Sequence, residues 1–261
     1  FAWLAYTDGI VGQFNHPANG DYGWEVEPVS YYESLMPETQ SLVKEKMALF
    51  EVGSGLYKLD KSLRNSLLGR IILDAYDIGY TDSLNSYVQA LLAGWYIGAT
   101  NNQDNHFYFT RNGSWIAPSN NTGIWVRNTT REGVMEALQN RWVFASEDWG
   151  VRVKLTATDD YGEHFMGSRN VRKQTDDKLH LHLTASDDDE AIGTLWVLSG
   201  SAEKGVFEGD WKKHSIYSSR IRSKTFDADL PALSYYSNHW YVIVIQQADK
   251  DFIVSSPIWT Q

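Results

Sequence analysis

Two short stretches place imidazole and carboxylate groups directly after apolar runs of the sequence. His16 lies in FNHP, and Asp104 and His106 lie in NNQDNH. Imidazole nitrogens and carboxylate oxygens are ligands of hydrolytic metal sites, and in α/β folds such sites form where strands end and loops begin. An Asp-x-His pair directs both side chains to the same side of an extended segment, so both can face one metal cluster. The residues alone leave two interpretations open: metal ligands, or hydrogen-bonded loop residues.

The elements that must position these residues alternate between strands and helices. Short apolar runs predict buried strands that end at His16, that cover MALFEVGS and that run into the NNQDNH loop. Helical spacing between these runs predicts helices, one of which Gly94 ends. A further helix is expected after Thr130, followed by another strand. Such alternation is typical of a parallel α/β architecture.

The pattern changes near residue 149, where period-two or continuous apolar runs replace the helical spacing. These runs are separated by Gly, Asp and Ser, and they include VRVKLTATDD, KLHLHLTASD, TLWVLSG, HWYVIVIQQAD and FIVSSPIW. Several strands without a helix predict an antiparallel β-sandwich. The predicted fold class is therefore α/β followed by all-β, with domains at residues 1–148 and 149–261.

Composition excludes several kinds of site. The chain has no Cys, which removes disulfides, thiolate nucleophiles and Cys-ligated zinc. The net charge of −10 argues against sequence-independent binding of nucleic-acid phosphates, although a bound metal can supply the positive field that a phosphate ester needs. No apolar run reaches the roughly 18 to 20 residues that span a bilayer, so no membrane span is expected. The first residues lack Met and the basic region of a signal peptide, which suggests a processed product.

Four stretches in a fixed order resemble one known family. FNHP, GWYIGATNNQDNH, TREGVMEALQNRWVFASED and SSPIW occur in this order in PHP-domain proteins, the polymerase and histidinol phosphatase superfamily. The chain is most similar to the metallohydrolase branch labelled CehA/McbA, from His16 to Trp259. The resemblance implies the C-terminal part of a distorted PHP-type β/α barrel, a small β domain after it, and a site with several divalent metal ions (Zn, Mn or Fe).

The resemblance also assigns roles to individual residues. It makes His16, Asp104 and His106 metal ligands and therefore catalytic residues. Gln103 and Asn105 either contact the substrate and orient the loop or satisfy backbone groups of the loop. Glu51 follows an apolar run, where it either lines the site or is a solvated carboxylate.

One departure from the family pattern is large. PHP proteins begin with a His-x-His motif and further ligands before the NHP histidine, whereas the one His-x-His here is His180 and His182, in a predicted sandwich strand. Alternation with leucines predicts that these two imidazoles lie on a solvated strand face. We therefore expect the missing ligands on an N-terminal fragment of the same precursor, separated by a proteolytic nick in an exposed loop. A degenerate, metal-free relative is the competing interpretation.

Two functions follow as expectations. The first is a metal-dependent hydrolase, chiefly a phosphoesterase acting on a phosphomonoester, a phosphodiester or nucleic acid, with carbamate esters as a further substrate class in the branch. The second is a catalytically inactive relative that acts as a secreted or surface binding protein through aromatic residues of the sandwich: Trp196, Trp211, Trp240 and Tyr241. A secreted or periplasmic location is expected.

Three N-x-S/T sequons lie close together, at Asn112, Asn120 and Asn128. Glycosylation in a secreted eukaryotic protein and chance occurrence in an Asn-rich and Thr-rich segment both account for them.

Overall fold

The computed structural model describes residues 1–15, 34–54, 80–102, 110–111, 114–115, 120–203 and 216–261. Strands hold more of these residues than helices do, and most of the strands are antiparallel. The described helices are α1 (Ala2–Tyr6), α2 (Pro37–Lys46), α3 (Tyr80–Leu92) and α4 (Arg131–Gln139). None of them is both long and apolar enough to cross a membrane.

The first three strands form a parallel sheet. They are β1 (Gly12–Phe14), β2 (Met47–Ser54) and β3 (Gly98–Asn102), with β2 in the centre. Phe14 pairs with Phe50, which pairs with Ala99, so the carboxyl ends of the strands lie at one edge. Helix α3 connects β2 to β3 along the chain, as parallel pairing requires. The predicted strand MALFEVGS and the predicted parallel arrangement are both confirmed.

Local signals define the helix ends. Helix α4 begins after Thr130, whose side chain accepts a hydrogen bond of 3.1 Å from the Gly133 N–H, as predicted for an N-cap. Helix α2 has Pro37 in its first turn, where a missing N–H costs no helical hydrogen bond. After α3 the chain turns at Gly94, which has a φ of +81° that glycine adopts without strain.

Two antiparallel sheets follow. The strand bounds are β4 (Thr110–Arg111), β5 (Ser114–Trp115), β6 (Asn121–Ile124), β7 (Val143–Ser146), β8 (Arg152–Asp159), β9 (Gly162–Phe165), β10 (Lys178–Ser186), β11 (Gly193–Ser201), β12 (Tyr217–Ile221), β13 (Thr225–Asp229), β14 (Leu233–Ser234), β15 (His239–Gln246), β16 (Phe252–Ser255) and β17 (Ile258–Trp259). The five-stranded sheet has the order β13-β10-β8-β9 with β14 beside β10, and the seven-stranded sheet has the order β12-β11-β15-β16-β7-β6 with β17 beside β15. β4 and β5 form a separate pair.

The central strands of the seven-stranded sheet are buried on both faces. Tyr241, Ile243 and Ile245 of β15 pack into the core that this sheet shares with the five-stranded sheet. The alternate residues Val242 and Val244 pack into a second core with β2 and α3. Burial on both sides explains why the β15 sequence is a continuous apolar run rather than an alternating one.

The seven-stranded sheet includes two strands that precede the predicted domain boundary. Strands β6 and β7 precede residue 148, yet β7 pairs with β16 and β6 pairs with β7 in the seven-stranded sheet. The boundary between residues 148 and 149 stays a prediction. The described elements establish a mostly β fold with antiparallel sheets; a PHP-type barrel goes beyond them.

Candidate functional site

Five of the predicted site residues lie outside the described residues. They are His16, Gln103, Asp104, Asn105 and His106. The strand ends that precede them are described: β1 ends two residues before His16, and β3 ends two residues before Asp104. Because β1 and β3 flank β2 in parallel, these ends lie at the same edge of the sheet, about 10 Å apart at two strand spacings.

One face of this sheet is polar at that edge. Gln13, Glu51 and Thr100 share the face, since Gln13 pairs with Leu49 two residues before Glu51 and Glu51 pairs with Thr100. The Thr100 hydroxyl lies 3.2 Å from Gln13 Oε1 and 3.0 Å from the Phe50 carbonyl oxygen. Gln13 Nε2 donates a hydrogen bond of 2.7 Å to Asn15 Oδ1, which continues the polar row towards residue 16.

Glu51 is the predicted site residue that the structure describes. Its exposed fraction is 2%, so it is not a solvated surface carboxylate. A buried carboxylate needs polar partners or a cation to offset its lost hydration, and Glu51 lies on the polar face where Gln13 and Thr100 provide polar groups. A role in lining a metal site stays a prediction.

The opposite face of the sheet is apolar and fixes the strands. Phe14 packs against Trp95 with ring centroids 5.1 Å apart, and Phe50 packs against Tyr87 at 5.4 Å. The buried Tyr87 hydroxyl donates a hydrogen bond of 3.1 Å to the Ile97 carbonyl, just before β3. Aromatic packing on one side therefore orients the polar side chains to the other side.

The carboxyl end of β3 is also held from the antiparallel sheet. Asn101 Nδ2 donates a hydrogen bond of 2.8 Å to the Ser146 carbonyl, and the Asn101 backbone exchanges two 3.0 Å hydrogen bonds with the Thr122 hydroxyl.

The contacts of Thr122 involve the second sequon, because Thr122 is the hydroxyl residue of that sequon. Asn120 is 5% exposed, which is incompatible with an attached glycan in this fold, whereas Asn128 is exposed. Asn112 lies outside the described residues.

The His-x-His pair on β10 is engaged by aspartates on the outer face of the five-stranded sheet. His180 Nε2 lies 2.8 Å from Asp176 Oδ2. His182 Nδ1 and Nε2 lie 2.8 Å and 2.7 Å from Asp229 and Asp227, which raise the pKa of this imidazole. Both side chains are partly exposed and lie on the strand face opposite the buried leucines.

Sequence reasoning missed a second polar cluster at one end of the two antiparallel sheets. Asp148, Asp187 and Glu190 each offer a carboxylate oxygen, and these oxygens lie within 4.8 Å of one another. The available signal was the Asp and Glu content of the loops SEDWG, SDDDE and ADKD, each of which follows a strand. We call Asp148, Asp187 and Glu190 the acidic cluster.

The aromatic residues proposed for sugar stacking are mainly internal. Trp240 and Tyr241 are each 1% exposed and belong to the two cores on opposite faces of β15. Trp196 is half-buried, and Trp211 lies outside the described residues. Trp240 and Tyr241 therefore do not form an exposed stacking surface.

Comparisons of the chain with protein-family models, with curated proteins and with solved structures found no match. The resemblance to PHP-domain proteins stays a prediction that is carried by the four sequence stretches.

Proposed function

We propose that the protein is a metal-dependent hydrolase whose site forms at the carboxyl edge of the parallel sheet. The observation that supports the proposal is the polar face there, with buried Glu51, between the two strands that lead to His16 and to Asp104 and His106. Open α/β sheets commonly bind ligands at the carboxyl ends of their strands.

In this proposal each residue has a defined task. His16, Asp104 and His106 hold the metal, and Gln103 and Asn105 contact the substrate. Glu51 lines the site from the central strand. Two imidazoles and a carboxylate suit Zn, Mn or Fe. A metal ion also fits the buried Glu51 carboxylate, because the neighbouring Gln13 and Thr100 are neutral. When bound, such a metal lowers the pKa of its water and polarises the scissile ester.

The proposed substrate class is a phosphate ester. A net charge of −10 repels anions over the protein as a whole, so local positive charge from metal would be needed to hold a phosphoryl group. Three ligands are too few to hold several metal ions. The proposal therefore includes an N-terminal segment of the same precursor that carries a His-x-His motif. Intact-mass measurement of the native material tests for that second polypeptide.

Metal analysis and turnover test the hydrolase proposal. We expect near-stoichiometric Zn, Mn or Fe, and turnover of nitrophenyl phosphate esters, in protein that contains the His-x-His segment. His106→Ala should lower metal content and turnover by at least about tenfold, whereas His180→Ala, on the outer face of β10, should change neither. Absence of all three metals and of turnover would refute the proposal, as would full retention of both in His106→Ala.

A surface pocket favours a second candidate function, which is binding without catalysis. Trp125, Trp142 and Phe165 line a cavity of about 270 Å³, with the Arg127 guanidinium 5.0 Å from the Trp142 ring centroid. Aromatic faces next to a cation suit a planar or sugar-like ligand. A Trp142→Ala variant that loses ligand binding, in a protein without turnover or transition metal, would favour this function.

A further inference from the structure

The acidic cluster lies where three loops meet. Asp148 belongs to the loop from β7 to β8, Asp187 and Glu190 to the loop from β10 to β11, and the neighbouring Gln247 to the loop from β15 to β16. β8 and β10 belong to the five-stranded sheet, while β7, β11, β15 and β16 belong to the seven-stranded sheet. The cluster therefore spans one end of both sheets.

The spacing of the carboxylates fits a single cation. Calcium binds oxygen ligands at about 2.3–2.6 Å, so two oxygens on opposite sides of one ion are about 4.6–5.2 Å apart. The three carboxylate oxygens of the acidic cluster lie within 4.8 Å of one another. This spacing is compatible with one ion between the three carboxylates.

A buried amide oxygen provides an independent observation. Gln247 is 4% exposed, and its Nε2 donates a hydrogen bond to Asp187 Oδ2, which directs the amide group at the acidic cluster. Its Oε1 has no hydrogen-bond partner among the described residues. A buried acceptor without a donor is unfavourable, and the opposite amide orientation would place Oε1 against the Asp187 carboxylate. A cation held beside this amide group would satisfy the oxygen.

The loops hold the cluster in place through backbone hydrogen bonds. Asp187 Oδ1 accepts from the Asp189 N–H at 2.6 Å and from the Glu190 N–H at 3.1 Å. Asp148 Oδ1 accepts from the Gly150 N–H at 2.7 Å.

Further acidic side chains surround the cluster, since Asp249 and Asp251 interact electrostatically with both Glu190 and Asp148. Two basic side chains at this end contact a different residue: Arg152 lies 3.3 Å from the Asp188 carboxylate, and Lys224 donates 2.9 Å to the Asp188 carbonyl.

We propose that Asp148, Asp187, Glu190 and the Gln247 amide oxygen form a Ca²⁺ site that ties the three loops together. All four groups offer oxygen, the donor that Ca²⁺ prefers, whereas Zn²⁺ favours nitrogen and sulfur. Mg²⁺ requires near-ideal octahedral geometry at about 2.0–2.1 Å, which suits four groups from three irregular loops less well. The role of this Ca²⁺ site is to hold the ends of both antiparallel sheets.

Calcium titration of the whole chain after chelation tests the site. We expect one Ca²⁺ per chain by isothermal titration calorimetry, with a Kd of about 10⁻⁵ to 10⁻³ M, and a higher thermal midpoint with Ca²⁺ than with equal Mg²⁺. Glu190→Gln should weaken Ca²⁺ binding by at least about tenfold. The same variant should raise the midpoint of the calcium-free protein, because it removes one of the repelling charges.

Asp189→Asn is the matched control, because it changes the charge equally in the same loop at an exposed residue outside the cluster. It should keep the Kd within about twofold, since a solvent-exposed charge is screened. Asp148→Asn tests a second ligand. It removes the negative charge of the carboxylate, while the amide oxygen can still accept the hydrogen bond from the Gly150 N–H. No saturable Ca²⁺ binding would overturn the proposal, and so would equal weakening in the ligand variants and the control, or an equal effect of Mg²⁺.

Discussion

A matched pair of leucines tests whether the seven-stranded sheet is covered on both faces. Leu195 and Leu198 lie on the same strand, β11, and both are fully buried. Leu195 belongs to the core shared with the five-stranded sheet, and Leu198 belongs to the core shared with β2 and α3. Substitution of each by alanine removes the same atoms from opposite faces of one strand.

Both substitutions should destabilise the protein by similar amounts. Removal of about three methylene equivalents, at about 0.8 kcal/mol each, gives a transfer cost of about 2.4 kcal/mol. The cavity left in each core raises the expected cost to about 3–5 kcal/mol. Leu42→Ala is the control on the surface of α2, where the side chain is 38% exposed, and should cost less than about 1 kcal/mol.

Urea denaturation followed by tryptophan fluorescence and circular dichroism measures these effects. Each core variant should lower the transition midpoint by about 1 M or more, and both probes should report one transition because the two cores share the seven-stranded sheet. A Leu198→Ala cost as small as that of Leu42→Ala would refute the two-sided burial of this sheet. Two separate transitions, with each leucine affecting a different one, would refute the shared architecture.

Two further predictions concern a helix cap and a pH dependence. Thr130→Ala should cost about 1 kcal/mol of unfolding free energy through loss of the α4 cap, and urea midpoints should show a smaller effect for the exposed neighbour Thr129→Ala. Asp229 and Asp227 raise the pKa of His182, so its stabilisation is complete below the unfolded pKa of about 6.5 and is lost as pH rises through the folded value. Thermal midpoints across that range should fall less with pH in His182→Gln, and an identical pH dependence in variant and parent would contradict this reasoning.

Most individual elements could be predicted because their signals are local. The β2 run MALFEVGS, the cap Thr130 and the alternation in β10 depend on backbone and side-chain preferences within a few residues. The parallel sheet also followed, since strand–helix alternation favours it. From the sequence, Glu51 either lines the site or is a solvated carboxylate. The fold buries it, and its role in the site stays a prediction.

Strand partners could not be predicted from these local signals. β6 and β7 precede the change of sequence pattern near residue 149, yet they pair within the seven-stranded sheet. The apolar run of β15 predicted a buried strand, but it could not indicate which layers cover its two faces. That assignment depends on contacts between segments that are far apart in the chain.

The sequence alone indicates the types of many elements and the order of the residues that could bind a metal: His16, then Asp104 and His106. The tertiary structure decided that Asp148, Asp187, Glu190 and Gln247 meet at one end of the two sheets. Local preferences act over a few residues, whereas the meeting of three loops depends on strand pairing and on packing of the sheets across about 100 residues of chain. For this reason the acidic cluster is visible in the fold and is only a set of scattered acidic loops in the sequence.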